Sequence, residues 1–541
     1  MSAVADSADR EIPIASAVAS NLAFGLYPAS DFRLSDGRCT DCPTIPQALW
    51  YFRQETIAVP LPGLDVASFA TGLSVADDLR AWLAGRPPET PPEYPPLVWV
   101  AAADTLAGAR LSQDAAMIRH GNATLPASLT PKIALNRSYF DQTSAAYFCK
   151  RPVRIRGHFV DGKFAIRTVW PEDFRVESVP PPQPLDSKLP PAEALRALIR
   201  SEPAGGARSP FAASTLWQRD RAREAAPPGR PVLGIMLNGA QGDDDEAHAG
   251  HFALVTGRTQ PDGTIGDWLV NNFYALDSES EKGILAAPVP LDNYLADLNS
   301  GQGWYRPSYL LVAVLADERA PALVQAALNR VYNQFWRHQL RYRHATMNCT
   351  GISVDVLRAM GWVVPARGPA SRLIAALGFP YFAVKERSVA KASMAFDYLS
   401  EDMTRLMPAA AFEETGASLI ALAASNEQSE MPLGALAAML AADLEALLFV
   451  RIPQFPSSRG WGDAPAVTPW EFHARVPADP EQVQIVPVPA RPFPPALRDP
   501  DLLPVKRPPS GYAAAIWGGL LLVGIPVFLL RQWQRLRSRN R

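Results

Sequence analysis

Gly250-His251-Phe252-Ala253-Leu254-Val255-Thr256-Gly257, the turn residues Pro261-Asp262-Gly263, and Trp268-Leu269-Val270-Asn271-Asn272-Phe273-Tyr274 decide how this chain of 541 residues reads. The first run is apolar after a single histidine and the last is apolar up to two asparagines, as strands of a buried sheet require. Pro-Asp-Gly is a strong turn signal, so the two runs are expected to pair as an antiparallel hairpin. With the turn centred on Asp262 and Gly263, His251 lies opposite Tyr274, and Asn272 is its diagonal neighbour on the same face. A turn longer by one residue puts Asn271 on that face instead, because strand side chains alternate.

A second pattern opens at Asn348-Cys349-Thr350. Ile352, Val354, Val356, Leu357 and Met360 form the apolar side of a helix that stops at Gly361, with Asn348 or Thr350 as its cap. Unpaired N–H groups and the macrodipole at a helix start stabilise a thiolate, which makes Cys349 a candidate nucleophile. A thiolate also needs a positioned base, and His251, held at the first residue of a strand, is the candidate. Asn272, or Asn271 in the other register, is the candidate group that orients the imidazole. Taken singly, a buried cysteine and a strand-initial histidine are ordinary structural residues. The histidine strand, asparagine strand and capped cysteine helix in one consistent order are what point to catalysis.

These stretches resemble the histidine and asparagine strands of papain-fold cysteine hydrolases, in which the asparagine follows a Trp-Leu-Val-type run and falls on Asn272. In papain the cysteine precedes the histidine. Here it follows, as in the circularly permuted branch that includes lecithin:retinol acyltransferase-like and permuted NlpC-like enzymes, where an Asn-Cys-Thr or similar tripeptide opens the nucleophile helix. The resemblance covers roughly the middle third of the chain. It implies an α+β fold with a permuted papain-like core, an antiparallel sheet packed on the nucleophile helix. It also implies a Cys349-His251-Asn272 triad acting on an acyl carbonyl, as a cysteine peptidase, amidase or acyltransferase whose substrate is a peptide, amide or acyl compound. No metal or organic cofactor is expected. The pattern departs from papain at Arg343, six residues before Cys349, where papain carries the glutamine that donates to the oxyanion. Gln339 and His344 are nearby candidates for that role beside the Cys349 N–H. The alternative is a catalytically inactive papain-like core serving as a binding or scaffold protein.

Lysine and arginine total 52 against 54 acids, for a net charge of −2, and no sustained basic and aromatic run occurs outside the terminus, so nucleic acid is not an expected partner. The 4 cysteines are too few for a disulfide scaffold. Cys39 and Cys42, as Cys-Thr-Asp-Cys, have the spacing of a metal or redox pair, but Cys149, His120 and His158 are scattered and supply no second pair for zinc. The acidic run 243–246 reads as a solvated loop, and His248 with His251 lacks a third ligand; no metal site is expected.

Residues 511–530 are uncharged, and about 20 residues rising about 1.5 Å each cross the hydrocarbon layer, so 511–531 is read as a transmembrane helix and the lipid bilayer as a partner. Tyr512, Trp517 and Trp533 suit the interfaces, and membrane helices tolerate Pro526. The arginines of the 532–541 tail favour a cytoplasmic tail and an outward-facing bulk. Against this, the N-terminus is acidic and lacks the basic start of an export signal. The reading adopted is a single-pass protein with cytosolic bulk and a tail anchor; the outward-facing orientation stays open.

Around the hydrolase core at 210–385, the expected organisation is a loose lead at 1–35 and an N-terminal α/β domain at 36–200. A helical appendage at 386–450 and a Pro-rich tether at 451–510 follow. The N-terminal domain's best local feature is a hairpin turning at Asp161-Gly162.

Overall fold

The computed structural model describes residues 24–28, 56–60, 73–85, 98–102, 104–130, 132–133, 140–177, 185, 188–200, 209–219, 224–239, 250–273, 287–298, 301–336, 340, 342–368, 371–424, 434–457 and 490–491. Cys39, Cys42, the acidic run 243–246, His248, Tyr274, Gln339 and the segment 511–541 lie outside the described residues. The chain is a mixed α+β protein.

Strands β1 (Phe24–Pro28), β2 (Thr56–Pro60) and β3 (Val98–Ala101) form a small antiparallel sheet. Strands β4 (Asp104–Leu111), β5 (Met117–His120), β6 (Ala123–Leu129), β8 (Val153–Val160) and β9 (Lys163–Pro171) close a barrel in the order β4-β5-β6-β9-β8. The short β7 (Lys132–Ile133) pairs in parallel with β17 (Ala490–Arg491). The main sheet is antiparallel throughout, in the order β10-β16-β15-β11-β12-β13-β14. Its strands are β10 (Ala212–Gln218), β11 (Pro231–Asn238), β12 (His251–Arg258), β13 (Leu269–Asn272), β14 (Ala287–Pro290), β15 (Ser308–Leu315) and β16 (Leu444–Ile452).

The α-helices are α1 (Val75–Gly85), α2 (Gln142–Phe148), α3 (Pro191–Arg200), α4 (Leu291–Ala296), α5 (Arg319–Trp336), α6 (Cys349–Ala359), α7 (Arg372–Lys385), α8 (Val389–Ser400), α9 (Met403–Leu406), α10 (Pro408–Ala424) and α11 (Ala435–Asp443). Strands β11 and β15 are buried along their whole lengths, which explains their nearly uninterrupted apolar sequences: both faces of the sheet are covered. Helix α10 lies on one face, where Gly416 admits Leu195, Leu311 and Ile235. Helices α5 and α6 also pack on β12. Helix α6 ends where Gly361 takes a φ of +84°, left-handed backbone that leaves the 434–435 chain room to pass.

The barrel is bound to the main sheet through charge. Arg154 and Arg156 of β8 reach Asp267 and Asp292, with Arg156 Nη2 2.8 Å from Asp292 Oδ2, and Arg167 Nε lies 2.7 Å from Asp297 Oδ2. Arg156, Asp292, Arg167 and Asp297 are buried, so these pairs exist only because each charge has its partner. Beside them Phe148, Trp170, Phe174 and Trp304 gather around Phe455 at ring separations of 5.3–6.4 Å. Asp267 stands just before Trp268 and β13, so the barrel fixes the segment that leads into the asparagine strand.

Several boundaries differ from expectation. Much of the described part of the supposed N-terminal α/β domain is an all-β barrel; its β8–β9 hairpin turns at Asp161 (φ 49°) and Gly162 (φ 76°), the positive pair that a tight two-residue loop needs. Helix α1 packs on α6, and its Asp78 accepts two hydrogen bonds from Arg330 of α5, at 2.6 and 2.9 Å. The expected helical appendage is helical to residue 443 but ends in β16, which inserts between β10 and β15. Leu444-Glu-Ala-Leu-Leu-Phe-Val-Arg-Ile452 is a short apolar run, and periodicity alone does not separate a buried strand from a buried helix. Of residues 451–457, expected to begin the tether, 451 and 452 complete β16 and 453–457 deliver Phe455 to the aromatic cluster. Among the described residues no helix is long and apolar enough to cross a membrane.

Candidate active site

Strand β12 begins at His251, and α6 begins at Cys349. Asn348 caps that helix: its Oδ1 accepts from the Gly351 N–H at 2.7 Å, while its Nδ2 donates to the His344 carbonyl at 2.7 Å. The cap fixes where Cys349 points, and the His251 imidazole lies near enough to act on the acidity of the thiol. The His251 Nε2 is buried with no hydrogen-bond partner.

Two opposed effects set the thiol's acidity. Burial pushes it up; the charge and hydrogen bond of His251, the Phe252 N–H and the Thr350 hydroxyl outweigh burial and bring it from the ordinary 9.0 down to about 6. At neutral pH the sulfur is therefore mainly a thiolate beside an imidazole, the state in which cysteine attacks carbonyl carbon.

The hairpin register is that of a turn centred on Asp262 and Gly263: Leu254 pairs with Asn271, Val255 with Val270 and Thr256 with Leu269. Alternation then puts Asn272 on the His251 face and Asn271 on the other. Asn271 is held there by Gln325 of α5, whose Nε2 donates to the Asn271 Oδ1 at 2.9 Å. Asn272 is buried, and its carbonyl accepts from the Tyr332 hydroxyl at 3.2 Å. Its carboxamide does not bond the His251 Nε2.

Other polar groups line the same corner. His251, Asn238 and Ser308 form one row across β12, β11 and β15. Asn238 Nδ2 donates to Ser308 Oγ at 2.7 Å, and the Tyr294 hydroxyl donates to Asn238 Oδ1 at 2.8 Å. The Tyr294 ring lies 6.1 Å from the imidazole, and burial holds its hydroxyl well above the usual tyrosine range, so it remains a donor.

Tyr342 is the residue that sequence reasoning missed. Its hydroxyl accepts from the Cys349 N–H at 3.3 Å and also faces the sulfur. Burial, and after it the neighbouring thiolate, keep this hydroxyl protonated well above the usual range. Arg343, six residues before Cys349, is engaged in a backbone bridge with Met347, and the His344 ring packs edge-on against Tyr342 at 5.2 Å. Tyr342 lies seven residues before Cys349, a spacing that carries no motif; only the fold brings it back over the helix start.

Cys149, in contrast, ends helix α2 with its Sγ 3.6 Å from the Ala146 carbonyl. Among the described residues no group of three or more His, Cys, Asp or Glu side chains converges as a metal site would require. No protein-family model, no curated protein and no solved structure matches the chain.

Proposed function

We propose that this protein is a membrane-anchored cysteine hydrolase or acyltransferase with a circularly permuted papain-like core. The observation that carries the reading is the Cys349–His251 pair: a thiol at a capped helix start, brought to about 6 by an imidazole presented from a strand encoded upstream. The antiparallel sheet packed on that helix and the order histidine, asparagine, cysteine support the permuted assignment.

In the proposed reaction the Cys349 thiolate attacks an acyl carbonyl, and the carbonyl π electrons move onto oxygen. The Cys349 N–H and the Tyr342 O–H are placed to stabilise that oxyanion, once the carbonyl oxygen takes the place of the hydrogen bond they now make to each other. His251 carries the proton taken from the thiol and gives it to the leaving amine or alcohol as the tetrahedral intermediate collapses to a thioester. Water, activated by the same imidazole, then releases the acid; in a transferase an acceptor amine or alcohol takes water's place. Asn272 is the proposed ring-orienting carboxamide, engaging Nε2 when substrate closes the groove, since apo hydrogen bonds at such sites are often long. Peptides and amides are the first substrate class. Esters and thioesters of lipid acyl groups come next because of the uncharged 511–530 segment, read as a single-pass anchor with a cytosolic bulk.

The burial of Cys349, 5 % exposed, favours a second reading in which the groove is closed and the core is an inactive binding module. A thiol-directed acyl probe separates the two. The enzyme reading expects Cys349 to be modified ahead of Cys39, Cys42 and Cys149 in a manner that His251→Ala suppresses; modification of the others first, indifferent to His251, supports the binding module.

A further inference from the structure

Helices α7 and α8 carry apolar side chains that the fold leaves in solvent. On α7, Leu373, Leu377, Tyr381 and Val384 are 70, 53, 61 and 79 % exposed at spacings of four, four and three residues, with Ile374 beside them. These positions span about a 100° arc of one helix face, while Ala375 and Phe379 on the opposite side are buried. Val389 and Met394 extend the exposed surface onto α8. Stripes of this kind on a stable fold mark an interface.

Its rim identifies the partner. Arg372, Lys385, Arg387 and Lys391 flank the stripe and are exposed, while Glu386 is the one acid among residues 372–391 and is already paired with Lys391 at 3.1 Å. Lys385 Nζ lies 5.7 Å from the Tyr381 ring, its stem running along the apolar face. A second copy laid on this stripe would set these cations against one another, since the acids nearby, Glu386 and Asp397, already face Lys391 and Arg343. An apolar face rimmed by lysine and arginine matches the acyl–headgroup boundary of an anionic bilayer.

We propose that α7 and α8 dock this protein on the surface of an anionic membrane, beside the bilayer that the 511–530 segment enters. The inference rests on the membrane-anchored reading only for bringing a bilayer near. The docking face is close to the site: Asp397 and Tyr398 of α8 interact electrostatically with Arg343 and Tyr342.

The test uses the full chain reconstituted into vesicles of phosphatidylcholine with phosphatidylglycerol, carrying a lipid with a photoreactive group near the headgroup, with adducts mapped by mass spectrometry. The expected result is labelling both within 372–394 and within 511–530. The double variant Leu377→Glu/Val384→Glu, confined to exposed positions, should cut the first by about tenfold or more without changing the second. Lys385→Glu/Arg387→Glu should reduce it severalfold, as should phosphatidylcholine alone. Labelling of 511–530 alone overturns docking and leaves the anchor reading standing; hairpin labelling without the tail supports docking and sinks the anchor. Copy-to-copy cross-links at α7, hairpin labelling indifferent to both variants, or no labelling anywhere each overturn the proposal.

Discussion

Replacing His251 with alanine should change the pH dependence of Cys349 reactivity more than its speed at neutrality. Burial raises the thiol, and the imidazole provides the charge and one of the hydrogen bonds that bring it to about 6. A shift of three units from the ordinary value corresponds to roughly 4 kcal/mol between the two protonation states. The sign is that of an acid stabilised in its charged form: the thiolate is present above about 6 and is lost as pH falls through that value. Without His251 only the Phe252 N–H and the Thr350 hydroxyl oppose burial. For a thiol back at its ordinary 9.0, the thiolate fraction at neutral pH falls by roughly 90-fold, but a thiolate of higher basicity is intrinsically more nucleophilic by roughly 20-fold, so the net loss is only about fourfold. Well below neutrality the loss grows to about 40-fold, and about one unit above 9 the variant reacts faster than the parent by about tenfold or more. The assay is the rate of disulfide exchange with a dipyridyl disulfide across the pH range, read at the Cys349 peptide by mass spectrometry. An inflection that stays near 6 in His251→Ala would refute the assigned cause of the lowered thiol.

Tyr342→Phe removes a proposed oxyanion donor and should lower kcat on an activated ester or thioester by about 10²-fold with KM changed only severalfold; an unchanged kcat removes Tyr342 from the chemistry. Asn272→Ala should lower kcat by less than tenfold and leave the resting thiol's titration unchanged, because its carboxamide meets the His251 Nε2 only with substrate bound, whereas Asn271→Ala should leave kcat intact and cost about 1–3 kcal/mol in urea unfolding by stripping Gln325 of a partner. Arg156→Met leaves Asp292 only its longer 3.6 Å pairing with Arg154 and should destabilise the folded chain by about 3–5 kcal/mol, with most of that recovered in Arg156→Met/Asp292→Leu. A single variant no less stable than the parent would show that the barrel is not held by these charges.

The sequence disclosed those parts of the site whose function depends on local chain geometry. Asn348 before Cys349 is a cap whether or not the helix is catalytic, and the apolar run after His251 is a strand in any buried sheet. The register followed from one turn signal, and the observed pairing of Val255 with Val270 agrees with a turn centred on Asp262 and Gly263. What stayed hidden depends on distance along the chain. Tyr294 and Tyr342 look like ordinary aromatics, and Asn238 like a strand end; their roles arise because three strands and the loop before α6 meet at one corner. Strand β16 was obscured for a different reason, since an apolar nine-residue run after an alanine-rich helix carries no mark of its pairing between β10 and β15. The buried Arg156 on β8 alternates as a strand-face cation, and nothing local signals Asp292, 136 residues away.

The central claim is that the Cys349 sulfur forms a covalent acyl intermediate with help from His251. Its most direct measurement is rapid-quench mass spectrometry of the full chain mixed with an activated acyl ester. The account predicts a transient adduct on the Cys349 peptide that hydroxylamine removes, that forms far more slowly at mildly acidic pH in His251→Ala, and that is absent in Cys349→Ala. Stable acylation at other residues, or no adduct at Cys349 while its thiol still titrates near 6, would contradict it.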